Sequence, residues 1–258
     1  MTAPSTAPST IDHPLLRKLG RFGRLSPAER KAVLDLLQHR EEIAPETALV
    51  QQGEKLSDAV VIESGWAARY RTLEDGRRQI MNFLLPGDLF DLCAFLLIKS
   101  DHAVGTITAC TVNRVPINQV TRLFERHPRL GSALWMGGLQ EEAILRERIL
   151  SLGRRNAEER TAHLLYELWV RLAQVGERDG KSFELPLTQP ILADALGLTS
   201  VHVSRTLRKL RKRGLIEMAR RRVTILKPRD EDAYGEFGHD HLHETARRAA
   251  VSPPSASP

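Results

Sequence analysis

Six basic side chains fall within nine consecutive residues in the second half of the sequence, with no acidic residue among them. They are Arg205, Arg208, Lys209, Arg211, Lys212 and Arg213. Side chains of this kind bind phosphate, and an arginine guanidinium can also pair with the edge of a guanine base. Residues 188–229 contain eleven basic and two acidic residues, a net charge of +9, whereas the whole chain carries +6. The positive charge is therefore concentrated locally, as binding to nucleic acid requires.

The residues around this basic cluster predict the elements that hold it. Apolar side chains at helical spacing over 189–196 predict a first helix, which Gly197 ends in a left-handed turn. Thr199 is a suitable N-cap for a second, basic helix that stops at Gly214. The stretch 218–223 predicts the tip of a β-hairpin, or wing. The pattern favours a winged helix-turn-helix, with its second helix in the DNA major groove, over a basic helix that is merely solvated.

Composition limits the remaining possibilities. A chain of 258 residues with 41% hydrophobic content can form two domains. No run approaches the roughly 18 apolar residues of a membrane span, and residues 1–13 do not form a secretory signal. Cys93 and Cys110 are the only cysteines, too few for a disulfide scaffold or a four-cysteine cluster. We therefore expect a cytoplasmic protein that makes no contact with a membrane and has no cofactor.

The first half of the chain has the residue pattern of a small β-domain. Short β-forming runs over 59–62 and 66–71 are separated by Gly65, and Asp75-Gly76 is a strong hairpin signal. Many short strands with regular turns predict a β-sandwich or roll. Ser26, followed by proline and then by Glu29, predicts a capped helix before it.

A long helix is predicted from about residue 130 to 152, and a further helix over 157–174 follows a plausible hinge at 153–156. One small domain cannot bury all the apolar residues of the long helix, so we expect this helix to form a dimer interface, called the seam below. The seam residues are Leu134, Leu139, Ile144, Leu145, Ile149 and Leu152. The alternative is packing on the β-domain of the same chain, because the heptads are imperfect.

This succession of β-roll, long helix and winged helix resembles the CRP/FNR family of transcription regulators, from about Leu16 to Pro228. The most specific pieces run from Gly197 through Arg205 and over Pro86-Gly87-Asp88-Leu89. The resemblance implies an α+β fold with an N-terminal antiparallel, jelly-roll-like β-roll that senses a signal. It also implies a homodimer on a pseudo-palindromic operator in double-stranded DNA, with recognition helices about 34 Å apart. RNA polymerase is a further candidate partner.

The predicted organisation has five segments. They are a disordered tail over 1–13, a sensor domain over 14–128, a dimerisation helix over 129–153, a DNA-binding domain over 154–228 and a mostly disordered tail over 229–258.

Family members read bases from the start of the recognition helix, often with a glutamate and an arginine four residues apart. Arg205 matches that arginine, whereas Val201 stands where the glutamate is common. Valine cannot accept a hydrogen bond from cytosine but can touch a thymine methyl, so an unusual half-site is expected. The predicted base-reading residues are Ser200, Val201, Ser204 and Arg205. The predicted phosphate-binding residues are Thr188, Thr199, Arg208, Lys209, Lys212, Arg221 and Arg222.

The expected effector pocket departs from the cyclic-nucleotide binders of the family, which use a Gly-Glu-Leu step and later an Arg-Ser or Arg-Thr pair. Residues 87–110 contain no arginine, and Lys99 and His102 are the only candidate cations there. A cyclic phosphate without its bidentate partner loses much of its binding energy, so we expect that cyclic AMP does not bind. The alternative is a cyclic-nucleotide-responsive regulator with a non-standard phosphate site. The candidate pocket residues are Asp91, Leu92, Cys93, Lys99, Asp101 and His102.

Other chemistry has weaker support. The oxygen-sensing branch of the family holds an iron–sulfur cluster with N-terminal cysteines, and residues 1–92 contain none. His239, His241 and His243 could bind a metal, but a polar tail is the favoured interpretation. The chain has no nucleophile elbow, P-loop or HExxH motif. We therefore predict a regulator with no metal site and no enzymatic activity.

Overall fold

The computed structural model describes residues 13–92 and 99–230, together with Tyr234 and Leu242. Two helices, α1 (Pro14–Phe22) and α2 (Pro27–Leu36), precede the strands. The predicted cap of α2 is confirmed. The Ser26 side chain accepts a hydrogen bond from the backbone N–H of Glu29 at 3.2 Å, and the Glu29 carboxylate accepts one from the N–H of Ser26 at 2.7 Å. This reciprocal pairing satisfies two of the donors left free at a helix start.

Among the described residues, eight strands form the β-roll. They are β1 (Arg40–Ile43), β2 (Ala48–Val50), β3 (Asp58–Ser64), β4 (Ala67–Thr72), β5 (Arg78–Leu84), β6 (Leu89–Phe90), β7 (Ala103–Thr106) and β8 (Cys110–Pro116). They make two four-stranded antiparallel sheets, with the orders β1-β8-β3-β6 and β2-β7-β4-β5. Apolar residues of both sheets, such as Ile62, Ala67 and Val112, form one buried cluster. The predicted antiparallel β-roll is confirmed, including the hairpin turn, where Gly76 has φ 85°.

Two helices leave the roll, α3 (Ile117–Arg126) and α4 (Pro128–Arg154), and α4 confirms the predicted long helix. Leu130 and Leu134 of α4 lie in a core with α1, α3 and the outer face of β3. Ile144, further along, lies in a second core that it shares with the C-terminal part of the chain. One side of α4 is therefore filled by residues of the same chain.

The C-terminal part begins with α5 (Ala157–Val175) and contains the two helices of the predicted corner and a small sheet. The remaining elements are β9 (Arg178–Asp179), β10 (Ser182–Glu184), α6 (Gln189–Leu196), α7 (Ser200–Lys212), β11 (Ile216–Ala219) and β12 (Arg222–Ile225). The sheet order is β11-β12-β10-β9. The sequence predicted only the β11–β12 hairpin, and the structure adds β10, in which buried Phe183 lies opposite Val223. The signal was Phe183 between polar Ser182 and Glu184, which is an alternation too short to stand out.

One apolar core extends from the β-roll into the C-terminal part. Trp66 and Phe83 belong to the same buried cluster as Leu168 and Val203. The rings of Trp66 and Phe83 make an edge-to-face contact, with centroids 6.4 Å apart.

Tyr234 and Leu242 also join this core, although they fall in the segment predicted to be mostly disordered. The Tyr234 hydroxyl donates to the carbonyl of Leu215 at 2.8 Å, and its ring lies 4.7 Å from that of Tyr166. The carbonyl of Leu242 accepts from the Gln140 side chain at 2.6 Å. Composition indicated a polar segment, but isolated apolar residues within it are buried by tertiary contacts that composition does not report.

Candidate nucleic-acid interface

The corner between α6 and α7 has the predicted local chemistry. Gly197 caps α6 with φ 61°, a backbone conformation that glycine adopts without strain, and Gly214 follows α7 with φ 65°. The Thr199 hydroxyl accepts a hydrogen bond from the N–H of His202 at 3.2 Å. The predicted turn, N-cap and stop are therefore confirmed, and they fix the direction in which α7 leaves the corner.

The sequence of α7 divides into an inner and an outer face. Val203, Leu207 and Leu210 are buried against the core. At about 100° per residue, the positions opposite to them fall into one row along the helix. This row, called the outer line below, consists of Val201, Arg205, Arg208 and Lys212, and all four are exposed. The exposed fraction of Val201 is 61%, which is unusual for an apolar residue on a helix packed so well on its other side.

The other predicted DNA contacts surround the outer line. Ser200 and Ser204 are half-buried on the flank of α7 that faces away from α5. The hydroxyls of Thr188 and Thr199 cap α6 and α7 at the exposed ends of these helices. The structure thus places hydroxyl groups at two helix N-termini, where backbone N–H groups also favour anions.

The wing carries two further predicted cations. Arg220 makes the turn between β11 and β12 with φ 56°, and Arg221 and Arg222 are exposed beside it. Arg222 lies 3.5 Å from the exposed carboxylate of Asp179, which belongs to β9. Because this ion pair is exposed, Arg222 can readily exchange the Asp179 carboxylate for another anion.

Lys209 and Arg213 have a carboxylate partner that sequence reasoning missed. The Glu158 carboxylate, in the first turn of α5, accepts from Lys209 Nζ at 2.8 Å and lies 3.5 Å from Arg213 Nη1. The hydrogen bond from Lys209 holds the pKa of Glu158 below its usual value. Glu158 and Lys209 are 51 residues apart, so no local pattern could have linked them.

A groove of about 470 Å³ lies between the start of α5 and α7. It is lined by Asn156, Ala157, Glu158, Glu159, His202, Thr206, Lys209 and Arg213. A second groove, of about 350 Å³, runs beside the outer line and is lined by Thr199, Val201, His202, Arg205, Thr206 and Lys209. The second groove therefore lies among residues that the sequence predicted to contact DNA, whereas the first shares only Lys209 with that set.

Of the candidate effector residues, Asp91 and His102 lie in a largely buried charged cluster. Asp91 has φ 60°, a strained value for a residue other than glycine. Its Oδ1 lies 3.4 Å from both Arg69 Nη2 and His102 Nε2. His102 Nδ1 lies 2.7 Å from Asp101, and burial would lower the pKa of His102, but its bonds to Asp91 and Asp101 raise it on balance.

Arg69 was missed because it comes from β4, outside the 87–110 stretch expected to supply the cation. Besides Asp91, it contacts the carboxylate of Glu141 on α4. Leu92 is half-buried, Lys99 is exposed, and Cys93 lies outside the described residues. The predicted pocket thus contains an arginine after all, already bound to two carboxylates.

Polar contacts continue from this cluster to α5. The side-chain oxygen of Asn82 accepts from Arg171 Nη1 at 3.2 Å, and Asn82 Nδ2 lies 3.4 Å from Glu141. Arg171 also donates to the carbonyl of Phe83 and to Asp88, both at 2.8 Å. A single arginine of α5 therefore binds three groups of the β-roll.

The predicted dimer helix has apolar residues on two sides. Leu134 and Ile144 are buried in cores of the same chain, so they do not lie on a free face. Leu139, Leu145 and Leu152 are half-buried, and Ile149 has an exposed fraction of 72%. Trp135, at 61%, and Leu150, at 47%, are also exposed and were not among the predicted seam residues. The free apolar surface of α4 therefore differs from the predicted one.

Other groups offer no reactive site in the part of the chain that the structure describes. The Cys110 thiol is buried, and burial raises its pKa to about 11, which disfavours the thiolate. Among the described residues, no three His, Cys, Asp or Glu side chains are placed to hold a metal ion. His239, His241 and His243 lie outside these residues. No described helix combines the length and apolarity needed to cross a membrane.

A β-roll, a long helix and a winged helix with an exposed basic recognition face together define a DNA-binding regulator. The family models agree, because residues 159–230 match the Crp-like helix-turn-helix domain and residues 40–127 match the cyclic nucleotide-binding domain. The chain belongs to the CRP/FNR family of transcription regulators.

Two curated relatives are similar over most of their length. The transcriptional activatory protein AadR of Rhodopseudomonas palustris is 34% identical over 86% of this chain and 91% of its own. The transcriptional activator protein FnrL of Cereibacter sphaeroides is 30% identical over 77% of this chain and 81% of its own. Among solved structures, FixK2 from Bradyrhizobium japonicum has a TM-score of 0.67 at 24% identity, over 77% of this chain and 96% of its own. The last likeness supports the fold alone.

Proposed function

We propose that this regulator acts as a homodimer that binds a pseudo-palindromic operator in a sequence-specific manner. The observation that carries the proposal is the outer line of α7, in which exposed Val201 and Arg205 precede two exposed cations. In this proposal Arg205 pairs with guanine O6 and N7, and Val201 contacts a thymine methyl. Ser200 and Ser204 flank them as further base contacts.

Phosphates on both sides of the groove would then meet the remaining polar groups. These are Thr188, Thr199, Arg208, Lys209, Lys212, Arg221 and Arg222. Arg205, Arg208 and Lys212 make no ion pair with other described residues, so they are available to DNA in the free protein. On this proposal, residues 14–128 form the sensor, 129–153 the dimer helix and 154–228 the DNA-binding domain.

We infer that a second copy of the chain packs against the exposed side of α4. Trp135, Leu139 and Ile149 lie within one strip of the helix, which also holds an exposed Glu142–Arg146 ion pair at 3.0 Å. A two-fold axis along this strip would bury the apolar residues and let the two charges pair across the seam. RNA polymerase remains a proposed partner of the DNA-bound dimer.

Selection of duplexes from a random pool should return inverted repeats, because a two-fold protein reads two half-sites. The half-site centres should lie about one helical turn, 34–36 Å, apart. Ile149→Glu should sediment as a monomer and return no repeat, since it places two like charges in the seam. Leu73→Glu is the matched control, because Leu73 has an exposed fraction of 55% on the distant β4–β5 turn. A monomeric wild type, or recovery of single half-sites, would contradict the proposal.

For the effector, we infer that cyclic AMP does not control this protein. A cyclic phosphate entering the cluster at Asp91 would meet an arginine, Arg69, whose charge already serves Asp91 and Glu141. The bidentate pairing that such a phosphate needs is therefore taken by the carboxylates of the chain. The match to the cyclic nucleotide-binding domain over 40–127 supports the alternative, a nucleotide-responsive regulator with a non-standard phosphate site.

Cyclic AMP and cyclic GMP at millimolar concentration should leave the melting temperature unchanged. A ligand that binds only the folded state at 100 times its Kd adds about 2.7 kcal/mol of stability, which amounts to several degrees. Differential scanning fluorimetry with each nucleotide measures this, and 5′-AMP serves as the control. An upward shift specific to a cyclic nucleotide, together with tighter operator binding, would support the alternative.

A further inference from the structure

Glu158 is held firmly against the flank of the recognition helix. The Asn156 side chain caps α5 by accepting from the N–H groups of Glu158, at 2.9 Å, and Glu159, at 3.1 Å. From this capped turn, the Glu158 carboxylate reaches Lys209 at 2.8 Å and Arg213 at 3.5 Å. The carboxylate is a quarter exposed, whereas both cations are more than half exposed. An acidic group thus occupies a fixed place in a surface that otherwise attracts anions.

The two cations that Glu158 contacts lie where phosphates are expected. Lys209 and Arg213 are turned by about 80° and 120° from Val201 around α7, toward α5. When a helix enters the major groove, its outer line faces base edges and its flanks face the phosphates of the two strands. One carboxylate therefore offsets part of the charge of two side chains at a position suited to phosphate.

We propose that Glu158 competes with DNA phosphates for Lys209 and Arg213, and so limits the affinity of the protein for DNA of any sequence. The inference rests on the proposed placement of α7 on DNA. A phosphate that binds Lys209 must either displace the carboxylate or approach a group of like charge. In both cases the protein neutralises fewer phosphates and releases fewer counterions. Base contacts such as those of Arg205 are untouched, so they supply a larger share of the binding energy.

The test compares two isosteric variants that remove the same charge from the same helical turn, Glu158→Gln and Glu159→Gln. The Glu159 carboxylate makes no ion pair with α7 among the described residues and accepts from the N–H of Asn156 at 2.9 Å, a capping role that glutamine also fills. The probe is a short random-sequence duplex, titrated by fluorescence anisotropy at several salt concentrations. Glu158→Gln should bind about tenfold more tightly at 0.1 M salt, with a salt slope steeper by about one to two units per subunit. Glu159→Gln should change both quantities much less.

Equal increases in the affinity of the two variants for the random duplex would indicate a general charge effect and overturn the inference. Unchanged or weaker binding by Glu158→Gln would also overturn it. Lys209→Ala supplies an independent readout, because it should weaken Glu158→Gln more than it weakens the wild type. Lys212→Ala separates this inference from the proposed function. If neither lysine substitution affects binding of the random duplex, the placement of α7 on DNA is wrong. If Lys212→Ala weakens binding while Glu158→Gln has no effect, only the role of Glu158 fails.

Discussion

Replacing Arg171 with alanine is expected to lower the free energy of unfolding by about 3–5 kcal/mol, which corresponds to a fall in Tm of roughly 10 °C. Arg171 is buried and binds Asp88 at 2.8 Å and Glu167 at 3.2 Å. Its loss leaves two buried carboxylates short of a cation and the carbonyl of Phe83 without its donor. Removing one partner of a buried pair costs far more than the pair itself contributes.

Urea unfolding at pH 7 measures this effect, and Lys31→Ala is its control. Lys31 makes an exposed ion pair with Asp35 at 2.6 Å, and its removal should cost no more than about 0.5 kcal/mol. Burial opposes ionisation of Asp88, but Lys18 and Arg171 outweigh it and lower its pKa. Stability from Asp88 is therefore present above its unfolded pKa of about 3.9 and is lost as the pH falls through the lower folded value. If Arg171→Ala lowers the free energy of unfolding no more than Lys31→Ala does, the contacts of Arg171 do not stabilise the fold.

Arg205→Ala should weaken binding to the selected operator by about 1–3 kcal/mol per half-site while affecting random DNA little, because it removes a base contact. Lys212→Ala should weaken both DNAs alike and reduce the salt slope by about one unit per subunit, as loss of a phosphate contact does. Both side chains lie exposed on the outer line of α7, so neither substitution disturbs the core.

Competition titrations of the two variants against operator and random duplexes measure the difference. If both variants lose affinity for the two DNAs in the same proportion, the assignment of the start of α7 to base reading is wrong. If Arg205→Ala changes neither affinity, α7 lies on the DNA in another orientation.

Local chemistry made much of the fold predictable. Gly197 and Thr199 specify a turn and a cap whose geometry depends only on their immediate neighbours. The outer line of α7 follows from the spacing of Val203, Leu207 and Leu210, because a helix with one buried face must expose the opposite one. Helix periodicity therefore predicts which face of α7 is exposed.

The remaining features depend on contacts between distant parts of the chain. Arg69, Asp91 and Glu141 meet only when β4, the end of β6 and α4 are packed together. Likewise, the pairing of Glu158 with Lys209 follows from the docking of α5 on α7, which no spacing encodes. Periodicity identified α4 as amphipathic but could not say which side the chain itself would cover, since both sides carry large apolar residues.

The apolar core shared by the β-roll and the winged helix bears on how far the two parts can be exchanged. Phe83 and Trp66 of the roll belong to the same buried cluster as residues of α5 and α7, and Arg171 adds polar bonds across the same boundary. A winged helix transplanted alone onto a foreign domain would expose this apolar surface to water and leave Arg171 without its hydrogen-bond partners in the β-roll. Because the two parts share an interior, a functional chimera must carry the β5 side of the boundary along with the DNA-binding helices.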